Sequence, residues 1–491
     1  MANIVGREPE QKILELAYLS ANPEFIALYG RRRVGKTYLV RNYFNHKKDL
    51  IFFYVTGMKE GSLTEQITNF MEEMGETFLY QGARLEIRKN WRDTFKTLTD
   101  NIRAAPKNKK IVLFFDEFPW MVTKNSRLLQ TLEYYWNHHW SRDARIKLII
   151  CGSSAGWILK KIINNKGGLY NRVTRTIHLE PYCLRKTKQY LDHAKIKLNH
   201  KQVVHLYMIL GGIPYYLSQI EPGLSANQVI EKLAFNKDSF LLKEFKNLYA
   251  TLFGTAGKHV ELAKVISSHR YGIGQEELSS KVKDFPSGGR SVGWLEDLEQ
   301  TGFIIRFKPF SRSKKGVYYK IIDEYSLFYF YWIETIKESL LERGMRKGYW
   351  ESIQNSSAWH SWAGYAFEAI CYKHIQQVSK ALNISPTAVP YTWRHVSAKG
   401  SNDQGAQIDL LFDRDDDSIT ICEIKYTDKP FAIDKQYAEK LKQKIDVFKK
   451  ITGTKKQIFL AMISANGIKK TMYSEEMVDG IVTLDDLFKE E

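Results

Sequence analysis

The sequence predicts an α/β protein that begins and ends in an α/β unit. Over residues 1–180, short apolar runs alternate with amphipathic stretches, the pattern of a parallel sheet with helical crossovers. A second series of apolar runs follows after residue 363. The chain has 491 residues, too many for a single hydrophobic core, so several domains are expected.

The first 180 residues are predicted to form four strands with helices between them. The strands are expected at 25–29, 50–56, 111–115 and 146–151, and the helices at 62–73, 91–104 and 127–140. Apolar runs of this length, separated by helical patterns, favour strands that are buried in a parallel sheet.

The middle of the chain changes character twice. Residues 184–250 are mostly helical in pattern, with a break at Gly211-Gly212-Ile213-Pro214. Residues 258–325 show short helices followed by a strand–turn–strand pair at 302–309 and 316–322.

The last third begins with a helical connector rich in tyrosine and tryptophan, which predicts a core for domain docking. Three strands are then expected at 406–413, 419–426 and 456–463. We therefore place the domain boundaries so that the segments are 1–180, 181–254, 255–325, 326–362 and 363–491.

Charge and composition indicate which classes of partner and which compartment to expect. The formal net charge of +18 favours phosphate-rich partners. The longest apolar run, Leu327 to Ile333, is too short to span a bilayer, and the N-terminus has no signal-peptide core. The cysteines are scattered, which indicates a reducing compartment. We expect a cytoplasmic protein without a membrane partner, and homo-oligomerisation stays open.

The most specific motif lies in residues 25–37, where an apolar strand runs into G-x-x-x-x-G-K-T. In this phosphate-binding loop (P-loop), backbone N–H groups turn toward the β-phosphate, and Lys36 neutralises the β- and γ-phosphate oxygens. Thr37 offers its hydroxyl to Mg²⁺. The pattern predicts ATP and Mg²⁺ as cofactors. The residues assigned to the nucleotide here are Gly30, Arg33, Val34, Gly35, Lys36, Thr37 and Tyr38.

A Walker B pattern supports this site. The apolar run from Lys110 ends in two carboxylates, Asp116 and Glu117. A buried strand would deliver Asp116 to the carboxyl edge of the sheet, beside Thr37 and the Mg²⁺ ion. Glu117 is the natural general base, with a solvent-facing acid at the strand end as the alternative.

Two further residues are candidates for sensing the γ-phosphate. Ser153 follows the strand at 146–151, where it would lie between the two preceding strand ends, or it is a helix cap, a role that Ser154 also suits. Arg172 is either an arginine finger, acting in cis or in trans, or an ordinary surface residue.

Two short motifs resemble motifs of a known ATPase class. The segment Ile4 to Glu10, IVGREPE, resembles the hhGRExE motif of STAND-class P-loop ATPases, which are related to AAA+ proteins. The break ending in Pro214 resembles the GxP motif of their helical lid. The resemblance implies that Gly6, Arg7 and Pro214 contact the adenine and adjoining phosphates. The domain order resembles the archaeal-type branch, which implies a P-loop NTPase parallel sheet, a helical lid, a winged-helix domain and a C-terminal α/β restriction-endonuclease-like domain.

The predicted hairpin near residue 310 is strongly basic. Between residues 303 and 320 there is no acidic residue. Such a wing can follow a DNA backbone without reading sequence, or it can be a solvated hinge. The basic residues are Arg306, Lys308, Arg312, Lys314, Lys315 and Lys320.

The second chemical motif is Asp409, a polar turn, and then Glu423-Ile424-Lys425. If the hairpin turn centres on Asp416, Asp409 lies across from Glu423, and Lys425 shares the face of Glu423. Opposed carboxylates repel each other unless a divalent cation bridges them. Lys425 is then placed to activate water or to steady a phosphate.

This motif resembles the core of PD-(D/E)XK nucleases. The resemblance implies catalysis by Asp409, Glu423 and Lys425, and a second Mg²⁺ or an Mn²⁺ ion held by Glu368, Asp409 and Glu423. We therefore expect an ATPase that controls a metal-dependent nuclease-like domain acting on DNA. The alternative is a nucleotide-driven switch or scaffold whose C-terminal domain only docks partners. A DNA-translocating motor is a third alternative, for which no pore loop is recognised.

Overall fold

The computed structural model forms two compact units, Met1–Pro181 and Tyr182–Glu491. The residues that it describes are 4–79, 85–164, 167–253, 256–286, 288–310, 316–336, 348–397 and 404–490.

The first unit contains a five-stranded parallel sheet. Its strands are β1 (Glu24–Tyr29), β2 (Leu50–Thr56), β3 (Lys110–Asp116), β4 (Ile146–Gly152) and β5 (Arg175–His178). Their order in the sheet is β2-β3-β4-β1-β5, and all neighbouring pairs are parallel. The predicted parallel α/β sheet is confirmed. Its topology brings the carboxyl ends of β1, β3 and β4 to one edge, where the motif residues follow.

The helices of the first unit include all three that the sequence predicts. The predicted end of one helix at residue 73 is wrong, because Met74 continues the buried apolar face and the helix runs to Phe78. The helical segments of this unit are Glu8–Leu19, Lys36–Phe44, Leu63–Phe78, Trp91–Ala104, Phe118–Met121, Leu128–His138, Trp140–Arg142, Ala155–Ile158 and Leu159–Ile163.

The second unit begins with helices and continues into a small sheet. The three strands β6 (Ile273–Gly274), β7 (Ile304–Phe307) and β8 (Tyr318–Ile321) are antiparallel in the order β6-β8-β7. The helical segments as far as residue 333 are Leu184–His193, His200–Leu210, Pro214–Leu217, Ala226–Ile230, Glu231–Phe235, Phe240–Leu252, Ala256–Ser267, Gln275–Lys281, Gly289–Gln300, Glu324–Phe328 and Tyr329–Ile333.

The structure corrects one part of the basic-hairpin hypothesis. Lys320 is buried and cannot lie along a phosphate backbone, because its side chain packs against Tyr365, Tyr372 and Glu368. Arg306 is 53% exposed and lies 3.5 Å from Glu299. Lys308 is also among the described residues. The remaining basic positions, Arg312, Lys314 and Lys315, lie outside them.

The aromatic connector is a packed core, as its composition predicts. Trp350, Trp359 and Trp362 are buried, with ring centroids 5.2 to 5.3 Å apart between Trp359 and its two neighbours. The Phe328 ring packs against Trp350 at 5.5 Å. These contacts join the helix Glu324–Phe328 to the helices Tyr349–Gln354 and Ser357–Lys373.

The C-terminal part is a second α/β layer. Its strands are β9 (Val389–His395), β10 (Ala406–Asp413), β11 (Ser418–Lys425), β12 (Phe431–Ala432), β13 (Gln457–Ser464), β14 (Ile468–Lys469) and β15 (Gly480–Val482). The main sheet has the order β15-β13-β11-β10-β9 and is mixed. The sequence did not predict its two edge strands, β9 and β15. The helices are Tyr349–Gln354, Ser357–Lys373, Ile375–Ala381, Lys435–Thr452, Met472–Met477 and Leu484–Leu487.

The register of the β10–β11 hairpin is the predicted one. Leu410 pairs with Cys422, so the hairpin is centred on Asp416. The same register continued by one residue places Asp409 across from Glu423. Across the described residues, no helix is both long enough and apolar enough to cross a membrane.

A buried histidine joins the start of the second unit to its C-terminal part. His374 Nε2 accepts a hydrogen bond from the backbone N–H of Leu184 at 3.0 Å, while Nδ1 lies 2.8 Å from the carbonyl oxygen of Ile370. These contacts fit a neutral imidazole that donates from Nδ1 and accepts at Nε2. Burial lowers the pKa of His374 to about 4.

We predict that the unfolding free energy falls as the pH is lowered from about 6.5 toward about 4. In this pH window the imidazole binds a proton in the unfolded state but stays neutral in the folded state. The contribution of His374 to the unfolding free energy is therefore complete above the unfolded pKa and is lost below the folded pKa. For this one group the full effect is about 3 kcal/mol.

His374→Gln keeps an acceptor oxygen but does not titrate, so it should flatten the dependence on pH in that window. Denaturant unfolding followed by tryptophan fluorescence at several pH values measures the slope. Equal slopes for the wild type and the variant would contradict this assignment.

Candidate ATP site and carboxylate cavity

The P-loop conformation depends on two glycines. Gly30 follows β1 with φ +147°, and a Cβ atom at this position would lie 2.2 Å from the carbonyl oxygen of Leu179. Gly35 has φ +94° and is the N-cap of the helix Lys36–Phe44. Only glycine combines these dihedral angles with the close approach of Leu179, so the loop and the helix N-terminus are set by the sequence.

The side chain of Lys36 is hydrogen-bonded to the backbone of this loop. Its side chain is buried, and Nζ donates to the carbonyl oxygens of Gly30 at 2.9 Å and Arg31 at 3.0 Å. Nζ also donates to Ser153 Oγ at 3.2 Å. An ammonium group has three donors, so all of them are used, and phosphate oxygens would compete for the same donors.

The residues expected at Mg²⁺ lie next to each other. The Thr37 hydroxyl donates to Asp116 Oδ2 at 2.5 Å, and Asp116 Oδ1 accepts from the backbone N–H of Glu117 at 3.0 Å. Asp116 is buried at the end of β3. A hydroxyl and a carboxylate oxygen are hard donors, so the chemistry of this pair fits Mg²⁺.

Ser153 connects the phosphate lysine to the expected general base. Its backbone N–H donates to Glu117 Oε2 at 3.1 Å, and its hydroxyl donates to Glu117 Oε1. Glu117 has φ +43°, a left-handed conformation that non-glycine residues seldom adopt. Ser154 occupies the N-cap position of the helix Ala155–Ile158 without a side-chain cap hydrogen bond. Lys36, Ser153 and Glu117 therefore form one chain of polar contacts.

The N-terminal motif contacts the backbone of the P-loop through Arg7. Arg7 is buried, and its Nη2 donates to the carbonyl oxygen of Val34 at 3.1 Å, while Nη1 lies 3.3 Å from Glu10. Gly6 precedes it with φ +67°. Arg7 thus contacts the loop backbone directly.

The remaining candidates for the nucleotide are more dispersed. Arg33 has φ +72° within the loop, and Tyr38 is half-exposed on the helix that follows. Arg172 is exposed in the turn before β5. Pro214 begins the helix Pro214–Leu217 of the second unit.

The predicted nuclease-like residues line a cavity of about 510 Å³ in the second unit. We call it the carboxylate cavity. The titratable groups at its wall are both acidic and basic, and the Tyr426 hydroxyl beside them has no hydrogen-bond partner within the described part of the chain. The charged lining residues are Arg270, Glu368, Asp409, Glu423, Lys425, Lys440 and Lys444.

Glu423 is surrounded by cations. Lys425 Nζ lies 2.9 Å from Oε1, Lys444 forms an ion pair with Oε2, and the Tyr437 hydroxyl donates to Oε1 at 2.6 Å. Burial opposes the ionisation of Glu423, but the two lysines outweigh it and lower the pKa of this carboxyl.

Asp409 has the opposite environment. Burial and the negative charges of Glu368 and Glu423 raise the pKa of this carboxyl. Its Oδ1 accepts a hydrogen bond from Gln407 Nε2 at 3.0 Å. The two opposed carboxylates of the hairpin therefore differ in their protonation equilibria, because the lysines lie on the Glu423 side.

Glu368 projects from the helix Ser357–Lys373 and is paired with two cations. Arg270 Nη2 lies 2.7 Å from Oε1, and Lys320 Nζ lies 3.7 Å from Oε2. Within the described ranges, no group of three or more His, Cys, Asp or Glu side chains is arranged to hold a metal ion. Protein cations hold Glu368 and Glu423 instead.

The sequence reasoning did not identify the partners of these carboxylates. Tyr437 and Lys444 lie on one helix, Lys435–Thr452, and their seven-residue spacing puts them on one face. This spacing could have indicated from the sequence that the two side chains point to the same site. Arg270 and Lys320 carry no such local signal, because only the tertiary packing brings them to Glu368.

Comparison with known proteins agrees with the first site. Residues 4–220 match the family of ATPase domains found predominantly in Archaea. The protein is a P-loop ATPase. Residues 329–443 of this ATPase match a family of archaeal and bacterial proteins of unknown function.

The similar proteins include one curated sequence and several solved structures. An uncharacterized protein of Methanocaldococcus jannaschii, MJECL04, is 26% identical over 430 residues, which cover 86% of this chain and 88% of that protein. The Walker-type ATPase PABY2304 of Pyrococcus abyssi is 17% identical with a TM-score of 0.48, over 67% of this chain and 96% of that one. The ORC2 protein of Aeropyrum pernix in its ADPNP–ADP complexes is 14% identical with a TM-score of 0.35, over 65% and 91% of the two chains.

We predict that Glu117→Gln lowers ATP turnover by about 100-fold or more, the usual loss when a general base is removed. The amide keeps acceptor and donor atoms beside Ser153, so ATP binding should persist. Steady-state phosphate release and equilibrium binding of a fluorescent ATP analogue measure the two properties.

Glu133→Gln, the same substitution on the helix Leu128–His138, is the matched control and should leave turnover unchanged. Full turnover by Glu117→Gln would show that another group activates water.

Proposed function

We propose that the ATPase controls the cleavage of phosphodiester bonds in DNA at the carboxylate cavity. The observation that carries this proposal is the convergence of Glu368, Asp409, Glu423 and Lys425 on one cavity. Lys440 and Lys444 add positive charge to the wall, which suits a phosphate-bearing substrate.

The lysine beside Glu423 is assigned the chemical step. Lys425 Nζ, 2.9 Å from Glu423, is placed to orient a water molecule or to neutralise the charge that develops on the phosphate. Lys444 keeps Glu423 ionised. The carboxylate oxygens of Glu368, Asp409 and Glu423 suit Mg²⁺ or Mn²⁺ chemically, and such an ion would activate water and neutralise phosphate charge, but in this arrangement two of the three hold protein cations.

The segment 255–325 is the proposed DNA-binding element. Its order of helix, strand, helix, helix, strand, strand supports the winged-helix interpretation. Arg306 at 53% exposure is available to a phosphate backbone, and the net charge of +18 favours such a partner.

On the nucleotide side, we assign water activation to Glu117 and γ-phosphate sensing to Ser153, supported by the hydrogen bonds that join them. Mg²⁺ is assigned to Thr37 and Asp116. Adenine contact by Gly6, Arg7 and Pro214, and the role of Arg172 as an arginine finger, are carried by the STAND-class resemblance.

One observation favours a second candidate function, a nucleotide-driven switch or scaffold. Glu368 and Glu423 are neutralised by protein cations, as in a domain that docks partners without chemistry. Size-exclusion chromatography with ADP and with a slowly hydrolysed ATP analogue tests it. Assembly that depends on the nucleotide, together with the absence of cleavage, would favour the switch.

We predict that Lys425→Met and Glu423→Gln each lower cleavage by about 100-fold or more, as expected when a group that stabilises the transition state is lost. ATP turnover should persist, because neither residue belongs to the P-loop site. Cleavage of labelled DNA with Mg²⁺ or Mn²⁺, measured in parallel with phosphate release, checks both.

Lys456→Met is the matched control, since Lys456 pairs with Asp413 near the hairpin turn and does not line the carboxylate cavity. Undetectable cleavage by the wild type across single-stranded, duplex and branched DNA and RNA would overturn the proposed nuclease function.

A further inference from the structure

Two cations from the segment 255–325 contact Glu368, a carboxylate that lines the carboxylate cavity. Arg270 lies in the turn before β6 and is 2.7 Å from Glu368, and Lys320 lies on β8 and is 3.7 Å from the same carboxylate. Neither belongs to the α/β layer that supplies the carboxylates. The small sheet therefore provides the counter-charge for a site that the C-terminal part builds.

The burial of Lys320 is unusual. Its side chain is 5% exposed, and Nζ lies 5.3 Å from the ring centroid of Tyr365 and 4.9 Å from that of Tyr372. A buried ammonium group is costly unless an anion compensates it, and Glu368 is the nearest carboxylate that the described contacts provide. Burial lowers the pKa of Lys320, and the charges of Glu368 and Asp409 oppose that shift.

The charge of the cavity requires compensation in any state. Burial raises the pKa of Asp409, and the negative charges of Glu368 and Glu423 nearby raise it further. Arg270 and Lys320 together supply two positive charges, the same charge as one divalent ion. An exchange of these two side chains for one metal ion would leave the net charge of the cavity unchanged.

We infer that Arg270 and Lys320 are built-in counter-cations that compete with a divalent metal ion for Glu368 and Asp409. The cavity then binds the ion only when the segment that carries the two cations withdraws. This inference rests on the proposed function and names the regulation of its site. It accounts for the pairing of Glu368 with two protein cations at the wall that Glu368 shares with Asp409.

Binding of Mn²⁺ to the full-length protein without nucleotide tests this inference. The paramagnetic resonance signal of free Mn²⁺ reports the affinity directly and does not require cleavage. We expect Lys320→Met and Arg270→Gln each to tighten binding by about 10- to 100-fold, the size of effect that groups around a metal site commonly have. Adding Asp409→Asn to either variant should abolish the gain, which assigns the ion to the carboxylate cavity.

Lys258→Met removes one charge from the same segment, where Lys258 pairs with Glu261, and should leave the affinity unchanged. Thermal unfolding of each variant monitors the fold. Arg270 is 37% exposed, so Arg270→Gln keeps the test valid if the buried Lys320→Met variant does not fold. Unchanged or weaker Mn²⁺ binding in the folded variants overturns the inference.

The proposed nuclease function and the competition between cations can be overturned separately. Tighter Mn²⁺ binding without cleavage by any variant would remove the nuclease function and keep the competition between cations. Cleavage by the wild type with unchanged Mn²⁺ affinity in both variants would keep the function and remove the competition.

Discussion

Both sites of this ATPase depend on one constraint, that a buried or partly buried carboxylate needs a partner. In the first unit, Asp116 accepts from Thr37, and Glu117 accepts from Ser153. In the second unit, Glu423 is held by lysines, and Glu368 is held by an arginine and a lysine. The same groups that suit metal and phosphate chemistry therefore also pair with partners that the chain itself provides.

Under the proposed function, the two sites would share one mode of control. At the P-loop, the γ-phosphate would compete for the Lys36 ammonium, which also donates to Ser153, and Ser153 in turn donates to Glu117. At the carboxylate cavity, a divalent ion would compete with Arg270 and Lys320. In each case a bound ligand changes the partners of neighbouring side chains, and differential contacts of this kind are what allow a ligand to shift a conformational equilibrium.

Much of this arrangement could be predicted from the sequence, because it is encoded locally. The apolar runs predicted the parallel strands, and the glycine spacing of the P-loop predicted the strand–loop–helix geometry. The hairpin centred on Asp416 placed Asp409 across from Glu423 with the correct register. The pairing of Glu368 with Arg270 and Lys320 could not be predicted. It joins residues far apart in the chain, and the basic pattern of the hairpin suggested that Lys320 faces solvent.

We predict that the nucleotide at the P-loop changes the conformation of the segment that neutralises Glu368. Amide hydrogen exchange of the Glu117→Gln protein, followed by mass spectrometry, tests it most directly, with saturating ATP compared with saturating ADP. We expect that exchange in β8 and in the helix Ser357–Lys373 differs between the two nucleotides. Identical exchange in both elements, alongside a protected P-loop that shows both nucleotides to be bound, would contradict it.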